Sequence, residues 1–142
     1  MGSFKSADEF REVMDRTLEL MSADPDMGPK LRDADAPQRW EFPDVDLVVN
    51  IAPAENGDSE HNLTWEWSDD VAWEPIVKME MTSTIANRYF QGKENIAMAV
   101  TRRKIRPSGD FKAALALVPV TKPVFVKYRA MVEADYPHLV EK

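Results

Sequence analysis

Apolar and polar residues alternate along five short segments of the chain, and a period of two predicts β-strands. The segments are residues 38–42, 45–51, 63–67, 77–81 and 104–108. In the second segment Leu47, Val49 and Ile51 share one side, and mostly polar residues occupy the other. Each strand therefore has one side suited to a core and one side suited to water.

Apolar residues recur every three to four positions over five other segments, and this period predicts α-helices. The helices are expected between residues 6 and 24, 83 and 91, 94 and 103, 111 and 118, and 122 and 136. A side-chain oxygen before a helix can accept a hydrogen bond from a free backbone N–H of its first turn. The residues predicted to cap helices in this way are Ser6, Thr82 or Ser83, Asp110 and Thr121.

The linking segments carry turn and helix-breaking residues. Residues 27–36 are predicted to form a loop with one helical turn after Pro29, and residues 119–123 a kinked connector. Asn56-Gly57-Asp58 predicts the turn of a hairpin. The order is one helix, then strands, then helices around a late strand. This order predicts a single α+β domain over residues 1–142, with a mostly antiparallel sheet and helices on one face.

Residues 79–117 hold the most informative run of short motifs. The run contains Thr82-Ser83, Gly92-Lys93 followed by Asn95, Ala97 and Ala99, Lys104-Ile105, Gly109-Asp110 and Ala114-Leu115. In this order and spacing it resembles the sterol carrier protein type 2 family of nonspecific lipid-binding domains. The resemblance implies a five-stranded sheet beneath a helical layer, with an apolar tunnel between them. Two residues depart from the family pattern: Arg103 stands where such domains often carry Gly, and Pro107 interrupts the late strand, which favours an edge position.

Tryptophan and methionine are frequent on the inward sides of the predicted elements. Methionine is unbranched and polarisable, so it adapts to neighbours of different shape. A filled core and a ligand tunnel need the same residue types, so the pattern leaves both interpretations open, and the resemblance favours the tunnel. The predicted lining residues are Leu18, Met21, Trp40, Phe42, Trp65, Trp67, Met79, Met81, Ile85, Tyr89, Met98, Phe111 and Leu115.

Charge is distributed unevenly along the chain. The formal net charge is −7, which disfavours general affinity for nucleic acids and anionic membranes. Between residues 88 and 106, six cations accompany one anion, Glu94. These cations either complement the dipole of a helix end or receive the anionic head group of a ligand. The candidate head-group residues are Arg102, Arg103, Lys104 and Arg106.

Motifs for catalysis, metals or cofactors are not found in the sequence. The chain has no cysteine, which excludes a disulfide framework, and its two histidines disfavour a zinc site. Glu66 and Glu80 are the plausible acid–base candidates, because each lies between inward apolar residues. Strand alternation places both on the opposite, solvated side. We therefore predict no catalytic residue, no metal and no cofactor.

The sequence shows neither a signal peptide nor a membrane span. The first ten residues lack the apolar core of a signal peptide, and no run approaches the ~20 apolar residues of a membrane span. We expect a cytoplasmic protein without stable membrane insertion. The first hypothesis is noncatalytic binding and carriage of acyl chains, acyl-CoA esters or sterol-like molecules, which the resemblance implies. The alternatives are a small enzyme or accessory subunit acting on a lipid or steroid-like acyl substrate, and a domain that presents an apolar surface to a partner enzyme.

Overall fold

The computed structural model describes residues 3–54 and 61–141, and in them five strands form one sheet. The strands are β1 (Gln38–Phe42), β2 (Leu47–Pro53), β3 (Leu63–Trp67), β4 (Val77–Met81) and β5 (Ile105–Gly109). Their order across the sheet is β3-β2-β1-β4-β5. The central pair β1 and β4 is parallel, and the other three pairs are antiparallel. The predicted five-stranded, mostly antiparallel sheet is confirmed.

Six α-helices accompany the sheet in the same described residues. They are α1 (Ala7–Ala23), α2 (Met27–Ala34), α3 (Ser83–Phe90), α4 (Ile96–Thr101), α5 (Phe111–Thr121) and α6 (Pro123–Asp135). A 3-10 helix at Pro137–Leu139 follows α6. Three predicted caps are confirmed: Ser6, Thr82 and Asp110 each accept a hydrogen bond from the backbone N–H three residues later. The predicted α+β fold is therefore confirmed.

Strand register gathers the apolar side chains on one face of the sheet. Trp40 of β1 stands beside Val49 of β2 and Met79 of β4. The helices pack on this face, where the core lies. The other face is crossed by the connection from β3 to β4: Asn50 donates its side-chain amide to the carbonyl of Ser68, at 2.6 Å. Further along the connection, Arg39 of β1 donates to the carbonyl of Asp69 at 2.9 Å, so the connection reaches the centre of the sheet.

Several boundaries differ from the sequence prediction. Residues 27–34 form the full helix α2 rather than a loop with one turn, because the Asp24 carboxylate accepts hydrogen bonds from the N–H groups of Asp26 and Met27. Helix α5 continues through Pro119, so the predicted connector is only Lys122. Thr121 does not cap α6; its hydroxyl donates to the carbonyl of Val118.

Two further elements are shorter than predicted. β2 begins at Leu47 rather than at residue 45, because Asp46 has a φ of +54° and breaks the extended backbone. Helix α4 begins after Asn95, whose side chain accepts a hydrogen bond from the N–H of Met98. The predicted turn at Asn56-Gly57-Asp58 lies outside the described residues.

Candidate functional site

An apolar cavity lies between the inward face of the sheet and helices α2, α3 and α5. The cavity has a volume of about 80 Å³. Protein interiors leave few voids larger than a water molecule, so a space of this size stands out. The strands contribute Gln38, Trp40, Phe42, Ile51, Ala52, Pro53, Leu63, Met79, Met81 and Ile105 to its wall. The remaining lining residues are Leu18, Met21, Leu31, Ala36, Ala86, Tyr89, Phe90, Ile96, Ala114, Leu117, Val118 and Thr121.

The wall of the cavity offers little polarity. Among the lining residues of the described chain, none is an Asp, Glu, Lys, Arg or His. Trp40 donates its indole N–H to the side-chain oxygen of Gln38, at 2.9 Å. Burial raises the pKa of Tyr89 above its usual value, and a hydrogen bond with Thr121 opposes that rise only in part. The phenol is therefore neutral at physiological pH, and a charged group brought inside would lose its hydration without gaining a partner.

Seven of the thirteen predicted lining residues surround this cavity. They are Leu18, Met21, Trp40, Phe42, Met79, Met81 and Tyr89. Their roles in ligand binding stay predictions. Their positions follow from strand alternation and from the helical stripe of α1, as the sequence indicated.

The structure places the other six elsewhere. Trp65 and Trp67 lie on the edge strand β3 beside α1, and both donate an indole N–H to the same carboxylate oxygen of Asp15, at 3.0 and 2.6 Å. Met98 is 46% exposed on the short helix α4. Ile85, Phe111 and Leu115 are half-buried and do not line the cavity.

Sequence reasoning missed several wall residues that the structure shows. In α5 the cavity is lined by Ala114, Leu117, Val118 and Thr121, which have the spacing i, i+3, i+4 and i+7 of a helix face. That stripe was available in the sequence. The position of Leu31 in the wall could not be predicted, because its helix α2 was predicted to be a loop.

The basic segment, residues 88–106, is largely neutralised by carboxylates. The guanidinium of Arg88 lies 3.0 Å from Glu94 and 2.9 Å from Glu141. Lys104 lies 3.6 Å from Glu94, and Arg106 lies 3.2 Å from Glu80. Ion pairs of this kind are common among charged side chains at a protein surface.

Arg102 and Arg103 are the two exposed arginines of this segment with no ion pair in the described residues. They follow α4, between the lining residues Ile96 and Ile105. Arg103 has a φ of +60°, in the left-handed region, and the N–H of Lys104 donates to the carbonyl of Ala99 at 2.8 Å. These contacts form a left-handed helix ending of the kind that glycine usually occupies. The head-group role of the four basic residues stays a prediction.

The carboxylates considered for acid–base chemistry lie away from the cavity. Glu66 is exposed on the outer face of β3, and Glu80 is paired with Arg106 on the outer face of β4. In the described residues no group of three His, Asp or Glu side chains could hold a metal ion. None of the helices there is long and apolar enough to span a membrane.

The similarity of this chain to known proteins lies in its structure and not in its sequence. No family model matches the chain, and no curated protein matches it. A sterol carrier protein domain from Helicoverpa armigera is 16% identical with a TM-score of 0.56, over 88% of this chain and 96% of that one. UbiJ-SCP2, a ubiquinone synthesis protein, is 10% identical with a TM-score of 0.57, over 81% and 93%. The chain therefore has the fold of sterol carrier protein type 2 domains, as its motifs predicted.

The same fold is found inside a much longer enzyme. A double mutant of a sec-alkylsulfatase is 18% identical with a TM-score of 0.61, over 75% of this chain. The match covers only 16% of the enzyme's chain. The similarity therefore concerns one part of the enzyme and says nothing of its reaction.

Proposed function

We propose that the protein binds a hydrophobic ligand, an acyl chain or a sterol-like body, in the cavity and carries it without chemical change. The observation that supports this proposal most directly is an uncharged, methionine-bearing cavity between sheet and helices in a sterol carrier protein fold. Transfer of apolar surface from water into such a cavity is favourable by about 25 cal/mol per Å². We expect affinities in the micromolar class, which correspond to about −8 kcal/mol.

The ligand enlarges the cavity as it enters. A space of about 80 Å³ exceeds what a single water needs but is smaller than a lipid. Met21, Met79 and Met81 line the cavity and have flexible side chains that adopt new rotamers at low cost. The half-buried helix α5 forms another part of the wall that can move outward.

The noncatalytic form of the proposal is supported by the composition of the wall. General acid–base catalysis needs a group that exchanges a proton near physiological pH. Tyr89 is the titratable side chain of the described wall, and burial keeps its phenol protonated. Glu66 and Glu80 project from the other face of the sheet.

Trp40 is the appropriate fluorescent reporter, because it lines the cavity while Trp65 and Trp67 contact Asp15. Replacing Trp65, Trp67 and Trp73 with Phe leaves Trp40 as the single tryptophan of a chain that has four. We expect saturable changes in its emission with fatty acids, acyl-CoA esters or sterols, and a matching thermal shift of the unmodified protein. The Trp40→Phe variant should lose the spectral change and keep the thermal shift. If no ligand class produces either signal, the protein is not a carrier of these molecules.

A further inference from the structure

Helix α5 is mostly apolar but only partly covered. Nine of its eleven residues are apolar, yet only Ala114 and Thr121 are buried. Ala116 and Pro119 are exposed, one turn apart on the outer side. Apolar positions of a helix are normally covered by a core, a partner or a membrane. The outer side of α5 therefore lacks the cover that its composition suits.

The apolar surface continues onto the first turn of α6. Val126 there is 76% exposed, the highest value among the large apolar residues described as exposed. Its neighbour Phe125 packs edge-on against Tyr89, with ring centroids 5.3 Å apart. This contact fixes the first turn of α6 beside the helix that forms another wall of the cavity. Val126 and the outer side of α5 are thus exposed apolar positions on two consecutive helices, and the opposite side of α5 lines the cavity.

This part of the chain is also basic. Residues 111–132 contain Lys112, Lys122, Lys127 and Arg129 and no Asp or Glu, so they carry +4 in a chain of net charge −7. Lys112 and Lys122 are exposed at the two ends of α5 and have no ion pair in the described residues. Lys127 and Arg129 are paired with carboxylates. The unpaired positive charge of this surface is therefore that of Lys112 and Lys122.

We propose that the α5 surface, formed by Lys112, Ala116, Pro119, Lys122 and Val126, docks on an anionic lipid bilayer. Long lysine side chains can place their ammonium groups among anionic head groups while aliphatic neighbours enter the interface. Docking would leave the protein on the membrane surface, without insertion. Because the opposite side of α5 lines the cavity, the surface would bring the cavity wall to the source or destination of a lipid.

A second copy of the chain is a poorer occupant of the same surface. A twofold interface would set the lysines of one copy against the same patch of the other. None of the five residues of the α5 surface is acidic, so the surface itself offers no counter-charge to these lysines. Anionic lipid supplies negative charge for the lysines and an apolar medium for Ala116, Pro119 and Val126.

The test is sedimentation of the ligand-free protein with two kinds of vesicle, one of phosphatidylcholine alone and one in which about a third is phosphatidylglycerol. We expect binding to the anionic vesicles only, with loss at high salt because the charges are exposed. Lys112→Glu with Lys122→Glu should lower the partition coefficient roughly thirtyfold or more, since each lysine near an anionic surface contributes about a factor of five. Val126→Ser should weaken binding without changing its salt dependence.

The matched control is Lys5→Glu with Lys78→Glu, which changes the net charge equally at exposed positions on other parts of the molecule. This variant should bind as the unmodified protein does, and thermal unfolding should show that all variants are folded. Equal binding to both vesicle types, no binding at all, or equal effects of the two double variants would overturn the proposal. A dimer in solution that Lys112→Glu with Lys122→Glu dissociates, without vesicle binding, would assign the surface to a second copy. No ligand is added, so the outcome is independent of whether the cavity carries lipid.

Discussion

Replacing Arg103 with glycine measures the cost of a left-handed backbone at the end of α4. Arg103 has a φ of +60°, where the Cβ of an L-residue approaches the following carbonyl oxygen. That conformation costs roughly 1–2 kcal/mol for a residue with a side chain. Glycine removes the cost but gives the unfolded chain more freedom, which offsets about 0.5–1 kcal/mol. The net expectation is a stabilisation of about 0.5–1 kcal/mol.

No contact offsets this gain, because the exposed side chain of Arg103 has no ion pair in the described residues. The backbone hydrogen bonds of the helix ending, from Arg103 N–H to Val100 and from Lys104 N–H to Ala99, do not involve the side chain. Urea denaturation followed by circular dichroism should show a higher midpoint with an unchanged slope. The melting temperature should rise by about 2–4 °C for each kcal/mol in a domain of this size.

Arg102 provides the matched control, because it precedes Arg103 and has an ordinary φ of −87°. Arg102→Gly removes the same charge but relieves no strain, so it should destabilise the fold by about 0.5–1 kcal/mol through unfolded-state entropy. Arg103→Ala keeps the Cβ atom and should not stabilise the protein. An Arg103→Gly variant no more stable than the unmodified protein would refute the reasoning.

Three further predictions concern the cavity, the basic segment and acid stability. Met81→Trp should abolish the ligand-induced thermal shift, with little loss of stability, if the cavity is ligand space. A tightly filled core would instead lose about 1–3 kcal/mol in urea titrations. Arg102→Glu with Arg103→Glu should remove a low-salt preference for acyl-CoA over an uncharged ester, measured by competition. Lys127 and nearby backbone N–H groups lower the pKa of Asp24 from 3.8 to about 2. This depressed pKa stabilises the fold above about pH 4 and stops doing so toward pH 2, so Asp24→Asn should flatten that part of the stability profile.

The sequence predicted the elements whose pattern is local. β4 alternates Val77, Met79 and Met81 with two charged residues, and the structure buries the first set on one side. Thr82 and Asp110 cap the following helices because a cap depends on residues only three positions apart. Local periodicity and local hydrogen bonding therefore account for most of the secondary structure of this chain.

Long-range packing explains what the sequence did not predict. Helix α2 contains Gly28 and Pro29, which usually interrupt helices, so its sequence indicated a loop. A Cβ atom at position 28 would meet the side-chain amide of Asn62 and lie 2.7 Å from the carbonyl of Ser22. Glycine is required there by a close approach between distant segments. The spacing of apolar residues along the sequence does not predict a close approach of this kind.

The tryptophans of β3 illustrate the same limit for the site. Alternation correctly assigned Trp65 and Trp67 to the inward side, next to Ile51 and Val49 of β2. Alternation does not give the order of strands in a sheet, and β3 lies at the edge, beside α1. Leu63, at the start of the same strand, lines the cavity, whereas Trp65 and Trp67 lie further along the strand and contact α1. A residue can therefore face the core and still lie outside the site.

A buried cluster of hydrogen bonds connects α3 to the C-terminal segment. A helix of eight residues is too short to be stable alone, and the cavity lies against the side that carries Tyr89. On the other side Asn87 is completely buried; its amide donates to the carbonyl of Leu139 at 2.9 Å, and it accepts the hydroxyl of Tyr128 at 2.7 Å. Hydrogen bonds of this kind fix one position and one rotation of a helix, because a buried polar group left unpaired is costly. The position of α3 is therefore held by the C-terminal segment, which leaves its cavity side free to change its packing.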